Sequence, residues 1–210
     1  MKKIITGQVI PINKSNIDTD MIIPKQYLKS IRKTGFGPFL FDSERYTNAG
    51  TLDNLNQREI NMNFILNKSP FNRGRILIVN DNFGCGSSRE HAVWAIKDFG
   101  IEAVISTSFA DIFYRNSFKN GLLLIRISKE QLVNLFNEID CTDEYKLTIN
   151  LLDNKISSST GLEINYDINA ADIERIINGF DDISITLKHK DSIVNYEKKI
   201  KKRKPWLYEK

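Results

Sequence analysis

The chain has 210 residues, 41% hydrophobic and 27% charged, which suits one globular unit with a substantial core. Its net charge of +4 is not spread along the chain but gathered in Lys198, Lys199, Lys201, Lys202, Arg203 and Lys204, a basic tail over residues 198–210. Its two aromatics, Trp206 and Tyr208, follow the basic run and are not interleaved with it, so a nucleic-acid-binding protein is disfavoured. No apolar stretch has the length of a signal peptide core or a membrane span, and the expected compartment is the cytoplasm.

In chain order, Gln8–Ile12 reads as a first strand and Asn16–Asp20 as a polar loop whose side chains bond their own backbone. Ile22-Ile23-Pro24 leads into a short helix, Lys25–Ile31, followed by the glycine-punctuated loop Lys33–Pro38. From Asp42 to Arg73 the sequence is polar and weakly periodic, an excursion with one short helix around Met62–Leu66. Strand and helix then alternate. Ile76–Val79 is a buried strand, and Ala92, Ala95, Ile96 and Phe99 fall on one helical face closed by Gly100. Ala103–Ser106, a helix over Phe109–Asn120, the strand Leu122–Ile127 and a capping box at Ser128–Gln131 continue the pattern through Ile139. Such alternation predicts a parallel sheet covered by helices. After Asp143 the apolar period becomes two, in Leu147/Ile149/Leu151 and again in Leu162/Ile164/Tyr166/Ile168, with Asp153-Asn154 as a turn. Helices over Ala170–Asn178, with Phe180 on its face, and from Asp181 to about Ile200 complete the chain.

The chemistry gathers between the strand Ile76–Val79 and its helix, in Asn82-Phe83-Gly84-Cys85-Gly86-Ser87-Ser88-Arg89-Glu90-His91. Gly84 and Gly86 let the backbone bend or approach a ligand closely. Ser87 or Ser88 is placed to cap the helix, whose free N–H groups and dipole attract an anion. Arg89, placed in the first helical turn, asks for an anionic partner. Helix capping at a tight turn and an anion site fit these residues equally. The dinucleotide fingerprint would need glycine at Arg89, and the triphosphate-binding loop lacks its Gly-Lys-Ser/Thr. Two cysteines, Cys85 and Cys141, and two histidines, His91 and His189, supply neither a disulfide framework nor the ligands of a zinc site or an iron–sulfur cluster. A Cys85–His91 nucleophile pair is disfavoured by the rigid strand–turn–helix geometry.

Four blocks carry a resemblance: Asp18-Thr19-Asp20 with Ile22-Ile23-Pro24, Lys33–Gly37, Asn82–Ala92, and Ser108-Phe109-Ala110-Asp111-Ile112-Phe113. Together they resemble the small-subunit family of 3-isopropylmalate dehydratase, a two-chain branch of the aconitase family, over nearly the whole chain. The resemblance implies an α/β fold, the swivelling β/β/α domain that ends aconitase, over residues 1–197. It also implies a large-subunit partner that holds a 4Fe–4S cluster, with no metal bound by this chain alone. The implied reaction interconverts 2- and 3-isopropylmalate through 2-isopropylmaleate in leucine biosynthesis. Ser87 matches the catalytic serine, which acts as an alkoxide, and Asp20 an aspartate at the mouth of the site; a loop-capping role fits Asp20 as well. Ser88 and Arg89 match ligands of a substrate carboxylate. Lys33, Thr34 and Gly35 fall in the loop on which substrate choice would rest, with Lys33 where relatives commonly carry arginine. Rival readings are an isomerase of citramalate, homocitrate or methylcitrate, and a binding module that has lost its chemistry.

Overall fold

The computed structural model describes residues 3–29, 32–48, 50–51, 58–142, 144–179 and 182–208. Seven strands form one sheet in the order β4-β3-β2-β1-β5-β6-β7. Its hinge is β1 (Ile4–Ile12), longer at its start than the sequence pattern suggested. Residues Ile4–Gln8 pair antiparallel with β5 (Lys146–Asn150), and Val9–Ile12 pair parallel with β2 (Ile76–Val79). One strand thus joins a parallel half to an antiparallel half.

In the parallel half, β2 and β3 (Ala103–Ser106) are buried at every position, and β4 (Leu123–Arg126) at all but its last. Continuous apolar runs of this kind need cover on both faces. The crossovers are α3 (Glu90–Phe99) and α4 (Asp111–Lys119), which pack together. Gly100, at φ 108°, closes α3 as the sequence indicated, and α5 (Lys129–Asp140) opens on the complete Ser128/Gln131 capping box. In the antiparallel half, β5 alternates buried and accessible positions, the mark of a sheet with one solvated face. It pairs with β6 (Lys155–Ser158), which pairs with β7 (Glu163–Asn165). The strand β6 was not foreseen, because Lys155-Ile156-Ser157-Ser158 carries one apolar residue and no alternation to read.

Several local expectations are corrected. Within the supposed polar loop, α1 (Thr19–Ile22) makes one helical turn, capped by Asp18 Oδ1 accepting from Met21 N at 2.7 Å. The segment Lys25–Lys29 is 3-10 rather than α-helical. The excursion holds α2 (Asp42–Arg45) and 3-10 turns at Ile65–Asn67 and Phe71–Arg73, not one helix. Side chains with no apolar period organise it: Arg58 and Asp42 form a buried ion pair, and Arg45 donates to the Gly37 carbonyl at 3.1 Å. After α6 (Ala170–Asn178), the single helix expected to reach Ile200 is broken at Lys188-His189 into α7 (Asp182–Leu187) and α8 (Lys190–Arg203). Residue 198, where the basic tail was set off, lies inside α8. Ile31, Phe180 and Asp181, and residues 49 and 52–57 of the excursion, lie outside the described residues.

Candidate active site

Three of the four sequence blocks become neighbouring loops at the carboxyl ends of β1, β2 and β3. The post-β2 turn lies in the middle. On one side it is zipped to the post-β1 loop. Asn16 N donates to Asp81 O at 3.0 Å, Gly84 N to Ile17 O at 2.8 Å, and Thr19 N to Cys85 O at 2.9 Å. Thr19, itself buried, adds a hydroxyl bond to the Ser87 carbonyl at 2.8 Å. On the other side it is zipped to the post-β3 loop, through Phe83 N to Ser108 O at 3.2 Å and Ala110 N to Phe83 O at 3.0 Å. These bonds extend the parallel ladder beyond the strands and fix the turn from both flanks.

Two glycines make the turn possible. Gly84 has φ 76°, and a Cβ there would fall 2.3 Å from Cγ of Phe113, so the ring of α4 lies directly on the turn's backbone. Gly86, at φ 89°, meets only ordinary contacts and is required by its dihedral alone. Between the turn and the start of α4 opens a cleft of about 290 Å³, lined by Ser87, Ser88, Arg89, Thr19, Asp111 and Ile112 among others.

The helix start corrects the capping expectation. Arg89, not a serine, occupies the N-cap of α3, in extended conformation and with no side-chain cap. Ser87 and Ser88 lie outside the helix and exposed to solvent, and neither hydroxyl has a hydrogen-bond partner among the described residues. Arg89 is therefore not in the first turn either. Its guanidinium is buried, at 8% exposure, and takes its anion from within the chain: it donates to Asp20 Oδ1 at 2.5 Å and to Oδ2 at 2.8 Å. This fork holds the half-exposed Asp20 carboxyl below the ordinary carboxylate value of 3.8. The loop-capping role considered for Asp20 belongs to Asp18 instead.

The fourth block is placed differently. Lys33, Thr34 and Gly35 are exposed and do not line the cleft. Their loop is tied to α3 by Phe36, whose N–H donates to Asp98 Oδ2 at 2.8 Å and whose ring packs against His91 and Trp94. His91 is thus committed to aromatic contacts, and burial, aided by Asp18, pushes the Cys85 thiol up from its ordinary value. Neither change favours a thiol–imidazole pair. Among the described residues no three His, Cys, Asp or Glu side chains come together to hold a metal. A larger groove of about 610 Å³ lies against α5, and four of its polar side chains pair with one another, Asn80 Nδ2 donating to Asn13 Oδ1 at 2.7 Å and Ser15 bonded to Asp81. The smaller cleft, where the loops after β1, β2 and β3 meet around the unpaired hydroxyls of Ser87 and Ser88, is the candidate site.

What sequence reasoning missed is the lining role of Asp111, quoted only within a motif, and of Ile112, expected with Phe109 and Phe113 on the apolar face of the helix but exposed. Their signal was present in the pattern: they open a helix directly after a parallel strand, where ligands to such sheets gather.

Comparison with known proteins gives a consistent result. The family model described as the aconitase C-terminal domain matches residues 2–130. A second, for the C-terminal domain of the 3-isopropylmalate dehydratase small subunit, matches residues 182–210 and so gives a counterpart to the lysine-rich end. The chain is 45% identical to a 3-isopropylmalate dehydratase small subunit of Hahella chejuensis, over 99% of this chain and 98% of the relative. It is 45% identical to one of Neisseria meningitidis, over 97% and 96%. It is also similar to the crystal structure of a 3-isopropylmalate dehydratase from Methanocaldococcus jannaschii, at a TM-score of 0.64 and 28% identity, covering 93% of this chain and 99% of that one.

Proposed function

The chain belongs to the 3-isopropylmalate dehydratase small-subunit family, and from that premise we propose how its cleft serves the reaction. It is the small subunit of the hydro-lyase that interconverts 2- and 3-isopropylmalate through 2-isopropylmaleate in leucine biosynthesis. Dehydration needs a base for the C–H proton and a Lewis acid for the departing hydroxyl. A 4Fe–4S cluster held by the large subunit would supply the second when bound, in accord with the membership of the aconitase family.

Ser87 is the base. A serine hydroxyl becomes one only where its alkoxide is stabilised, and two features of this chain supply that. The N–H groups of Glu90 and His91, the first two of α3, have no backbone partner among the described residues, and the Arg89 cation lines the same cleft. Ser88 and the planar guanidinium of Arg89 hold a substrate carboxylate. Asp20 orients that guanidinium, and docking of the large partner over the exposed serines excludes water. Lys33, Thr34 and Gly35, exposed and not lining the cleft in this chain, bear on substrate choice from outside it. The substrate is a small 2-hydroxy diacid, and no nucleic acid or membrane takes part. The assembled enzyme works in the cytoplasm, which accords with two free cysteines.

The observation that carries this reading is the pair of unbonded hydroxyls of Ser87 and Ser88 beside a buried arginine. A capping serine would spend its oxygen on the helix. Ser87→Ala should fold and assemble with the large subunit, while turnover of 2-isopropylmalate falls roughly 10²–10⁴-fold with substrate affinity changed much less. A normally assembled Ser87→Ala complex with near-native turnover would refute the assignment.

A further inference from the structure

In both isopropylmalates the branch is attached to one of the two carbons that exchange hydrogen and hydroxyl. Its contact must therefore lie within a few bonds of the proton that Ser87 takes, inside the cleft, which Lys33–Gly35 do not line. Facing the serines across that cleft is the first turn of α4, with Asp111 and Ile112 both exposed, Ile112 at 55%. This turn is rigidly indexed to the base: Phe83 and Phe109 form a parallel bridge, and Phe113 rests on Gly84. The charges are unequal. Arg89 is the single cation lining the cleft among the described residues, and Asp20 already engages it, whereas Asp111 is held in no ion pair.

We propose that Asp111 is a specificity residue that acts by exclusion: the Asp111–Ile112 wall admits an uncharged branch and repels a third carboxylate, restricting the site to dicarboxylates. The inference rests on the function proposed above and adds a charge rule to it. A carboxylate in the first turn also favours the helix dipole, but that role would alter stability and leave selectivity unmoved.

The test uses the complex with the large subunit, assayed anaerobically with 2-isopropylmalate. Inhibition by tricarballylate, a tricarboxylate, is compared with inhibition by isopropylsuccinate, a dicarboxylate, in the wild type, Asp111→Asn and Asp111→Lys. Removing a like charge at short range should tighten tricarballylate by roughly 10- to 100-fold in Asp111→Asn, and further in Asp111→Lys, while isopropylsuccinate shifts by less than about threefold. An inhibitor ratio unmoved in both assembled variants overturns the proposal. If the wild-type complex turns over a different dicarboxylate instead, the isopropylmalate reading falls, and the same ratio, measured with that substrate, still decides the charge rule. A wild-type complex that prefers a tricarboxylate overturns both.

Discussion

Arg89 is a buried cation with its own counter-ion, and that arrangement sets what its neighbours can be asked to do. Each Nη donates to Asp20, which leaves a hydrogen on Nη2 and that on Nε, so a substrate carboxylate would meet a guanidinium already oriented by the chain. Arg89→Lys keeps the charge and loses the fork, and should raise KM strongly as well as lowering kcat, in contrast to Ser87→Ala. Asp20→Asn should cost about 1–2 kcal/mol of stability at neutral pH, discounted because Asp20 is half exposed. The sign of its pH dependence follows from the lowered carboxyl. The ionic contribution is complete above the ordinary value of 3.8 and is lost as pH falls through the lower folded value. Melting curves of wild type and Asp20→Asn should therefore converge in acid. Curves that stay parallel below pH 4, about the ordinary carboxylate value, would remove the ionic role of Asp20.

At the scale of elements, the strand–turn–helix around Ser87 was legible because a continuous apolar run, two glycines and a helical period follow one another without a gap. The zipper that holds it was not. Bonds such as Gly84 N to Ile17 O link positions far apart in sequence through main-chain atoms, which carry no residue-specific signal. The division of labour between Asp18 and Asp20 was half legible. Asp18 stands three residues before Met21, the spacing of a side-chain cap, but nothing local sends Asp20 to Arg89. A second long-range clasp yields a testable consequence. Tyr145 donates to Glu138 of α5, and Thr160, just after β6, donates to the same carboxylate oxygen at 2.6 Å. Burial, reinforced by this bond to a carboxylate, raises the Tyr145 phenol to about 12. A phenol whose folded value is raised contributes stability that is full below its unfolded value of about 10 and is lost as pH rises through 12. Tyr145→Phe should flatten that alkaline loss only in part, because burial raises Tyr166 to about 12 as well. A slope identical to wild type in melting temperature against pH from about 9 to 12 would show that Tyr145 does not titrate with unfolding.

For the molecule as a whole, the change from continuous to alternating apolar residues marked where the covered parallel strands end, but not that the later strands pair antiparallel within the same sheet. The position of β1 between the halves was hidden, since pairing order is a tertiary choice. That order brings the loops after β1, β2 and β3 side by side and leaves their cleft open, with both serines in solvent. The elimination proposed above, through a Ser87 alkoxide, would require a dry site and hence a second body over the open face. The last prediction follows. Purified alone and treated anaerobically with iron and sulfide, the chain should fold, hold no stoichiometric iron and show no dehydratase activity. Activity should appear on adding the large subunit and rise with its concentration to saturation. Folding is separable from function here because the sheet and its buried side chains form within the one chain. A cooperative melting transition in an iron-free, inactive chain would exhibit both properties together. Near-stoichiometric iron with acid-labile sulfide on the isolated chain would instead sink the two-chain reading, because the ligands would have to come from residues that the fold holds apart.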